Sequence, residues 1–582
     1  MHVVATAGHV DHGKSTLVRA LTGTDPDRLA EERRRGLTIE LGFASTVVDG
    51  EEVAFVDVPG HERFVPTMLA GVGPVPAVLF VVAADGGWMP QSAEHLDALH
   101  ALGVRHGLLV VTRADLADPA PATAQAREHL ARTTLAGAEA VAVSARTGAG
   151  MAELREALAR AVRSLPPPDV AAPVRLWVDR VFSVRGAGTV VTGTLPAGTV
   201  RVGERLALPG GRSVVVRGLQ ALGRNASEVS AVARVAVNLR GVSTDEVRRG
   251  DALTTPGTHL DTSLVDVRVS RDGAVPAACL LHVGAAHVGV RARPLDDAHV
   301  RLLLRSPLPL RIGDVGLLRD PGRHEVVGGV TVLDVDPPAL RRRGAARERA
   351  AALAGFGATP DLDGELRRRR VVRAEHLRAM GVPVDGNGWL VDPGHAAVLR
   401  ERLVGAVADH AERHPLEPGL PVEAARHLLD LPDAGLVAGL AEPPLALHEG
   451  RVVDTRRGGG LPGPLATSLA KLTRDLADRP WSAPEAHRLR ELGLGPRELA
   501  TAVRAGALAR VGDGVYLTAE AVARAHEPLR ALPQPFSLSE ARQAWGSTRR
   551  VAVPLLELLD RDGRTRRLPD DRRVVVDGTR PA

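Results

Sequence analysis

The stretch GHVDHGKS, Gly8 to Ser15, decides how this chain is read. Lysine and arginine together fill 74 positions, yet only Lys14 and Lys471 are lysines. Such a bias reflects a GC-rich genome and drains lysine from every site where arginine serves as well. A lysine that survives therefore points to a geometric need. Gly8, four residues, then Gly13, Lys14 and Ser15 is the spacing of a phosphate loop, and HVVATA before it reads as a short buried strand. Shuffling this composition yields the pattern only roughly 0.002 times per chain. Glycines let the backbone N–H groups of Asp11, His12 and Gly13 curl around a diphosphate, and a helix starting near Lys14 aims its positive end at the same anion. Lys14 supplies a compact charge between the β- and γ-phosphates, where a planar guanidinium fork is too bulky. The Ser15 hydroxyl is placed to ligate Mg2+, and Thr16 closes the nucleotide-contacting run. The alternative is a glycine-rich turn with an incidental lysine.

Apolar runs at EVAFVDV, AVLFVVAA, GLLVVT and AEAVAVS alternate with helical segments such as STLVRALTG and MAELREALARAV. Residues 1–170 are therefore expected to form an α/β GTP-binding domain, with a mostly parallel sheet and ligands at the strand C-termini. DVPGH ends one strand: Asp57 can hold Mg2+ through water, Gly60 can offer an N–H to a γ-phosphate, and His61 then sits beside the attacking water. In RRRGLTIE, Thr38 can close over Mg2+ once a γ-phosphate is present. TRAD places Asp115 to accept N1–H and N2–H of guanine, which adenine cannot supply. Arg113 stacks on the base, while Thr112 gives up the bridging hydrogen bonds an amide would make. Ser144, Ala145 and Arg146 form a further loop suited to guanine O6. Each segment alone could be an ordinary strand-end turn; their order along one chain favours the nucleotide reading.

The whole chain sets limits. At 582 residues it needs several domains, and its one cysteine, Cys279, excludes disulfides and cysteine metal sites. A reducing cytoplasm and no membrane partner are expected, because no apolar run reaches the roughly 18 residues of a spanning helix. The net charge of +5 permits a nucleic-acid partner without demanding one. Aromatic residues make up only 2%, so RNA recognition here would rest on arginine and shape rather than base stacking.

After the linker SLPPPDVAAP, short strands broken by glycines predict one β-barrel over 172–262 and a second over 263–338. Residues 340–582 then show four similar endings: GVPVDGNGWLV, PPLALHEGRVVD, GALARVGDGVYLT and GRTRRLPDDRRVVV. Each reads as strand, polar turn and strand after amphipathic helices, which fits an array of four winged helices, the last at about 525–582. Accidental recurrence of Gly-Asp turns is the alternative. From Phe536 onward there are ten arginines and seven acids. Arg549, Arg550, Arg566, Arg567, Arg572 and Arg573 would suit the phosphates of an RNA hairpin, or else merely solubilise the surface.

GHVDHGKST, RGLTIELGF, DVPGHERFV and MPQSAEHL closely resemble translational GTPases of the elongation factor Tu class. That resemblance implies GTP/GDP and Mg2+ as cofactors, His61 as the residue orienting hydrolytic water, and Val10 and Leu37 as an apolar gate held until the ribosome acts. FSVRGAGTVVTGT resembles the domain of those factors that accommodates the aminoacyl end of a tRNA. Asp179, Arg180 and Arg240 lie on segments similar to those lining its amino-acid pocket, where cations would favour an ionised selenol; a solvated surface pair is the alternative. The final segment resembles the C-terminal module of selenocysteine-specific elongation factors. That second likeness implies a monomeric carrier of selenocysteinyl-tRNA, recruited near a UGA codon by an mRNA hairpin. A general aminoacyl-tRNA carrier and a GTP-gated nucleic-acid-binding regulator are the competing readings.

Overall fold

A computed structural model describes the chain except for residues 27–37, 62–63, 74, 187, 271–273, 324, 418, 457–460, 462 and 577–582. It divides into two compact units, Met1–Leu390 and Val391–Ala582.

The first unit begins with β1 (His2–Ala7), α1 (Lys14–Thr22), β2 (Gly42–Val48), β3 (Glu51–Asp57) and α2 (Val65–Val72). It continues through β4 (Ala77–Ala83), α3 (Pro90–Ala101), β5 (His106–Thr112), α4 (Pro119–Leu130), β6 (Glu139–Ala142) and α5 (Met151–Arg163). The sheet order is β2-β3-β1-β4-β5-β6. All pairings are parallel except β2 with β3. Helices cover both faces, so the central strands are apolar throughout rather than alternating. Along β1, Val3, Ala5 and Ala7 pack into one face's core and Val4 into the other's. α5 docks through Leu154, Ala157, Leu158 and Val162, the i, i+3, i+4, i+8 stripe of an amphipathic helix. This geometry brings the ends of β1, β3 and β5 to one edge, where the phosphate loop, Asp57 and the Thr112 turn lie.

Between Arg175 and Thr254 eight strands form one antiparallel sheet around Leu176, Val191, Leu206, Val214, Val237 and Leu253. From Leu260 to Asp334 six strands close into a barrel. The segment after the barrel is not a separate module. Leu366, Val372, Leu377, Met380 and Val382 share one core with the barrel's Val267, Leu302 and Leu310. Asp266, fully buried, accepts from Arg301 at 2.7 and 2.9 Å and from Arg349 at 2.7 Å, tying the helix Ala345–Leu353 to the barrel. Nor does GVPVDGNGWLV fold on itself. The strand Trp389–Val391 pairs with Val371–Arg373, across the helix Ala374–Ala379. Gly381 adopts φ 97°, Pro383 has no N–H for a ladder, and Val382 is drawn into the shared core.

Among its described residues the second unit carries three helical groups, each ending in a hairpin: Leu445–His448 with Arg451–Asp454, Leu508–Gly512 with Val515–Thr518, and Thr565–Arg567 with Arg573–Val575. The last two groups share a core, in which Val515 and Leu517 pack with Phe536, Trp545 and Leu555.

Candidate active site

The loop after β1 is shaped by close backbone approach. A Cβ at Gly8, φ 130°, would lie 2.2 Å from the Val81 carbonyl oxygen, and Gly13, φ 81°, turns the chain into α1. Lys14 is 6% exposed, and its ammonium donates to the carbonyls of Gly8 at 3.0 Å and His9 at 2.7 Å. Gly60 lies against the same group: a Cβ there would stand 2.5 Å from Lys14 Nζ and 2.6 Å from the Val10 nitrogen. The two loops thus meet at one small cation, which answers why position 14 is lysine. Asp57, fully buried, accepts from Thr6 Oγ1 at 2.7 Å and from Ser15 Oγ at 2.6 Å, and Ser15 Oγ is 2.9 Å from Thr38 Oγ1. The three residues expected around Mg2+ therefore converge as hard oxygen donors, a set that fits this cation. His61 is half-buried, its ring 6.0 Å from that of Phe64. Thr16 is exposed at the helix start. Leu37, the second expected gate residue, lies outside the described residues.

Sequence reading missed the support beneath this loop. His95 and Gln91, both on α3, accept the N–H of Gly8 at Nδ1, 3.0 Å, and of Val10 at Oε1, 3.2 Å. Burial holds the His95 imidazole down to about 3, so it stays neutral and can accept. Burial likewise lowers His12 to about 4 and His282, on the outer face of the barrel opposite Leu317, to about 3. Each of these groups binds a proton in the unfolded chain below about pH 6.5 but not in the fold, so stability is complete above that pH and falls toward pH 4. The loss should reach roughly 1.4 kcal/mol per pH unit for each imidazole. Calorimetric melting at pH 7.5 and 5.0 measures it; an unchanged Tm would contradict the assignment.

The guanine end differs from expectation in an informative way. Thr112 does keep a bridge: its hydroxyl donates to the His12 carbonyl at 2.7 Å, tying the TRAD turn to the phosphate loop. Arg113, φ 56°, pairs with Asp85 at 3.1 Å and donates to the Asp11 carbonyl. Asp115 is kept below the usual carboxylate range by the Ser144 hydroxyl, with Arg146 3.8 Å away. An ionised acceptor is what two guanine N–H groups require. Ser144 is 1% exposed, and its Oγ also accepts the Thr147 N–H, so the loop through Ala145 and Arg146 is preformed. Thr112→Val, which keeps the shape and deletes the bridge, should weaken GDP binding about five- to tenfold, the weight of one hydrogen bond. Displacement of a fluorescent guanine nucleotide would register it.

Beside this domain lies a cleft of about 350 Å3, walled by Phe43 and Phe55 on one side and Arg180, Phe182 and Arg234 on the other. Of the three expected pocket residues, Arg180 lines this cleft, Asp179 pairs with the lining Arg234, and Arg240 is not among the lining. Arg180 pairs with Glu40 at 3.1 Å and stacks over Phe43 at 5.0 Å. Asp179 accepts from Arg234 through both carboxylate oxygens and from Thr192 at 2.8 Å. Arg234 lies 3.9 Å over the Phe43 ring. Arg240 is exposed six residues further along the strand Ala233–Arg240, about 20 Å away at strand rise. Both arginines share a face, so alternation alone could not choose between them; the register that sets Arg234 opposite Thr194 and Arg180 opposite Thr192 does.

In the last hairpin group the six candidate arginines divide. Arg573 is buried and pairs with Asp560 at 2.9 Å. Arg550 donates to the Gly514 carbonyl at 2.9 Å, Arg572 to that of Pro535 at 3.5 Å, and Arg567 pairs with Asp571. Arg549 and Arg566 are exposed. Among the described residues no helix is long and apolar enough to cross a membrane.

A phosphate loop with a buried aspartate behind it, on a mostly parallel sheet joined to a barrel, is the architecture of a translational GTPase. Residues 1–164 match the elongation factor Tu GTP binding domain, 275–339 the beta-barrel domain of selenocysteine-specific elongation factor, and 528–574 the winged helix of elongation factor SelB. The chain is 32% identical over 610 residues to the selenocysteine-specific elongation factor of Escherichia coli (strain K12), covering 98% of both proteins. The chain belongs to the selenocysteine-specific elongation factors. It is also 38% identical over 351 residues to that of Desulfomicrobium baculatum, a match spanning 55% of the relative's length. The crystal structure of bacterial selenocysteine-specific elongation factor EF-Sec superposes with a TM-score of 0.77 at 26% identity, covering 99% of this chain and all of the other.

Proposed function

We propose that this chain carries selenocysteinyl-tRNA in its GTP state, delivers it to the ribosome at UGA codons marked by an mRNA hairpin, and is released by GTP hydrolysis. The observation that carries the cargo assignment is the pair of guanidinium groups, Arg180 and Arg234, stacked on Phe43 in the cleft next to the nucleotide domain. A selenol is ionised at neutral pH where a serine hydroxyl is not, so guanidinium donors in the cleft, each already held by a carboxylate, favour it by charge. Asp179 fixes Arg234 in place, and the Phe43 ring holds both cations close to it.

In the nucleotide site, Lys14 and the loop N–H groups bind the phosphates, Asp115 reads the base, and Arg113 packs beside it. Ser15, Thr38 and, through water, Asp57 would hold Mg2+, which neutralises charge on the β- and γ-phosphates. Gly60 offers its N–H to the γ-phosphate, and His61 orients the attacking water behind Val10. The strand Gly42–Val48 carries Phe43 only a few residues beyond Thr38, so a γ-phosphate that draws in Thr38 acts on one wall of the cleft. The test compares protection of selenocysteinyl-tRNA and seryl-tRNA against deacylation, with GTP and with GDP. Selective protection with GTP alone supports the reading; equal protection of both, or with either nucleotide, defeats it.

Hairpin recruitment falls to the exposed arginines of the last group. Arg566→Ala should lower the log-log salt slope of hairpin binding by roughly 0.7 to 0.9 and leave melting unchanged. Arg573→Ala should instead destabilise the group, because Asp560 loses its buried partner. Filter binding across salt concentrations, paired with thermal melting, separates the two effects.

A further inference from the structure

Where the six-stranded barrel meets the segment after it, a cavity of about 570 Å3 opens, lined by Asp334, Asp336, Arg368, Arg373, His376 and Trp389 among others. Its size falls in the ordinary range of small-ligand sites. It belongs to no part of the nucleotide site or the cleft. It occupies the place where the first of the four repeated endings fails to form its own hairpin.

The charges around it are unevenly spoken for. Asp334 accepts from Arg349 at 2.6 Å and from Arg369 at 2.8 Å. Asp336 accepts from Arg369 at 3.2 Å and from His376 at 3.0 Å. Glu365, buried behind the wall, accepts from Arg369 at 3.1 Å and from Arg368. Both carboxylates that line the cavity are therefore paired. Arg373 is different: it is exposed, and among the described residues no hydrogen bond or ion pair ties it down, although its charge helps to hold the nearby Glu375 carboxyl below its usual range. Its guanidinium lies over the Trp389 ring, 4.6 Å from the centroid. The indole N–H of Trp389 is buried without a hydrogen-bond partner. A buried donor left unpaired is costly, so an acceptor that reached it as the ring shifts would offset that loss. Five guanidinium N–H groups, an orphaned indole N–H and a planar cationic surface suit one ligand chemistry: an acceptor-rich anion attached to a flat ring.

We propose that this cavity binds a phosphate ester of a nucleotide, the phosphate on Arg373 and Arg368 and the base against the Arg373–Trp389 stack. The ester can belong to an RNA strand or to a free nucleotide; the chemistry at the site is the same. Arginine planes and aromatic faces are how proteins hold unstacked bases.

The experiment uses the full chain with all five tryptophans replaced by 5-fluorotryptophan and with GDP saturating the phosphate loop. Loss of one 19F resonance in Trp389→Phe identifies the reporter. Titration with hexacytidylate RNA and, separately, with cytidine 3′,5′-bisphosphate should shift that resonance saturably, and Arg373→Glu should weaken the response at least tenfold. RNA binding tenfold tighter than the mononucleotide assigns the site to a strand; equal affinities assign it to free nucleotide. No shift with either probe at millimolar concentration overturns the proposal, as does a shift that Arg373→Glu leaves unchanged. The Arg373 side chain is exposed, so this variant keeps its fold, and the four remaining resonances check that it has.

Discussion

Replacing Lys14 by arginine should raise the Kd for both GDP and GTP at least a hundredfold, about 2.7 kcal/mol, although the charge is kept. The reason lies in the space around Nζ. Two loop carbonyls take N–H groups of the ammonium at 2.7 and 3.0 Å, and the backbone of Gly60 and Val10 closes over it. A guanidinium is wider, planar and carries its donors in a fixed fork, so it cannot enter without displacing one of the loops. Lys14→Ala should lose a similar amount, showing that the arginine charge gives no compensation where it cannot be placed. Equilibrium titration with a fluorescent guanine nucleotide decides the matter, and circular dichroism melting within a few degrees of wild type shows that the fold survives. Unchanged affinity in Lys14→Arg would refute the geometric explanation and return the lysine to chance.

The second large effect concerns Arg234. Its side chain is 12% exposed and its carboxylate partner Asp179 only 4%, so Arg234→Met strands a charge inside the protein. Removing one member of such a pair costs about 3–5 kcal/mol. The double variant Arg234→Met with Asp179→Leu should recover most of that loss, because no lone charge remains buried. With the fold restored, the double variant isolates the role of the cation. Protection of selenocysteinyl-tRNA should fall to the level of seryl-tRNA, while GDP affinity stays at the wild-type value. If the double variant still prefers the selenocysteinyl form, the cleft does not select by charge.

What could be read from residues alone was whatever sits in contiguous chain. The phosphate loop, the DVPGH and TRAD turns and the Ser144 loop each place their chemistry within a few positions of a strand end. Hydrophobic runs of that length leave little choice of strand. Partners brought in by tertiary packing stayed hidden. His95 and Gln91 sit more than eighty residues from the loop they brace, on a helix whose pattern announces only that it packs. Arg234 and Arg240 are indistinguishable until strand register is known. Thr112 shows the converse error: the missing amide suggested a broken bridge, yet a hydroxyl at the same strand end reaches the His12 carbonyl.

The junction after the barrel also bears on how such a protein can be divided. A cut near residue 340, where the repetitive region begins by eye, would strip Arg349 from Asp266 and bare the apolar surface that Leu366, Leu377 and Met380 cover. Exchange of modules between relatives, whether in a laboratory chimera or by recombination, would succeed just past the strand Trp389–Val391 and fail fifty residues earlier. The visible repeat and the heritable building block are therefore different objects in this chain.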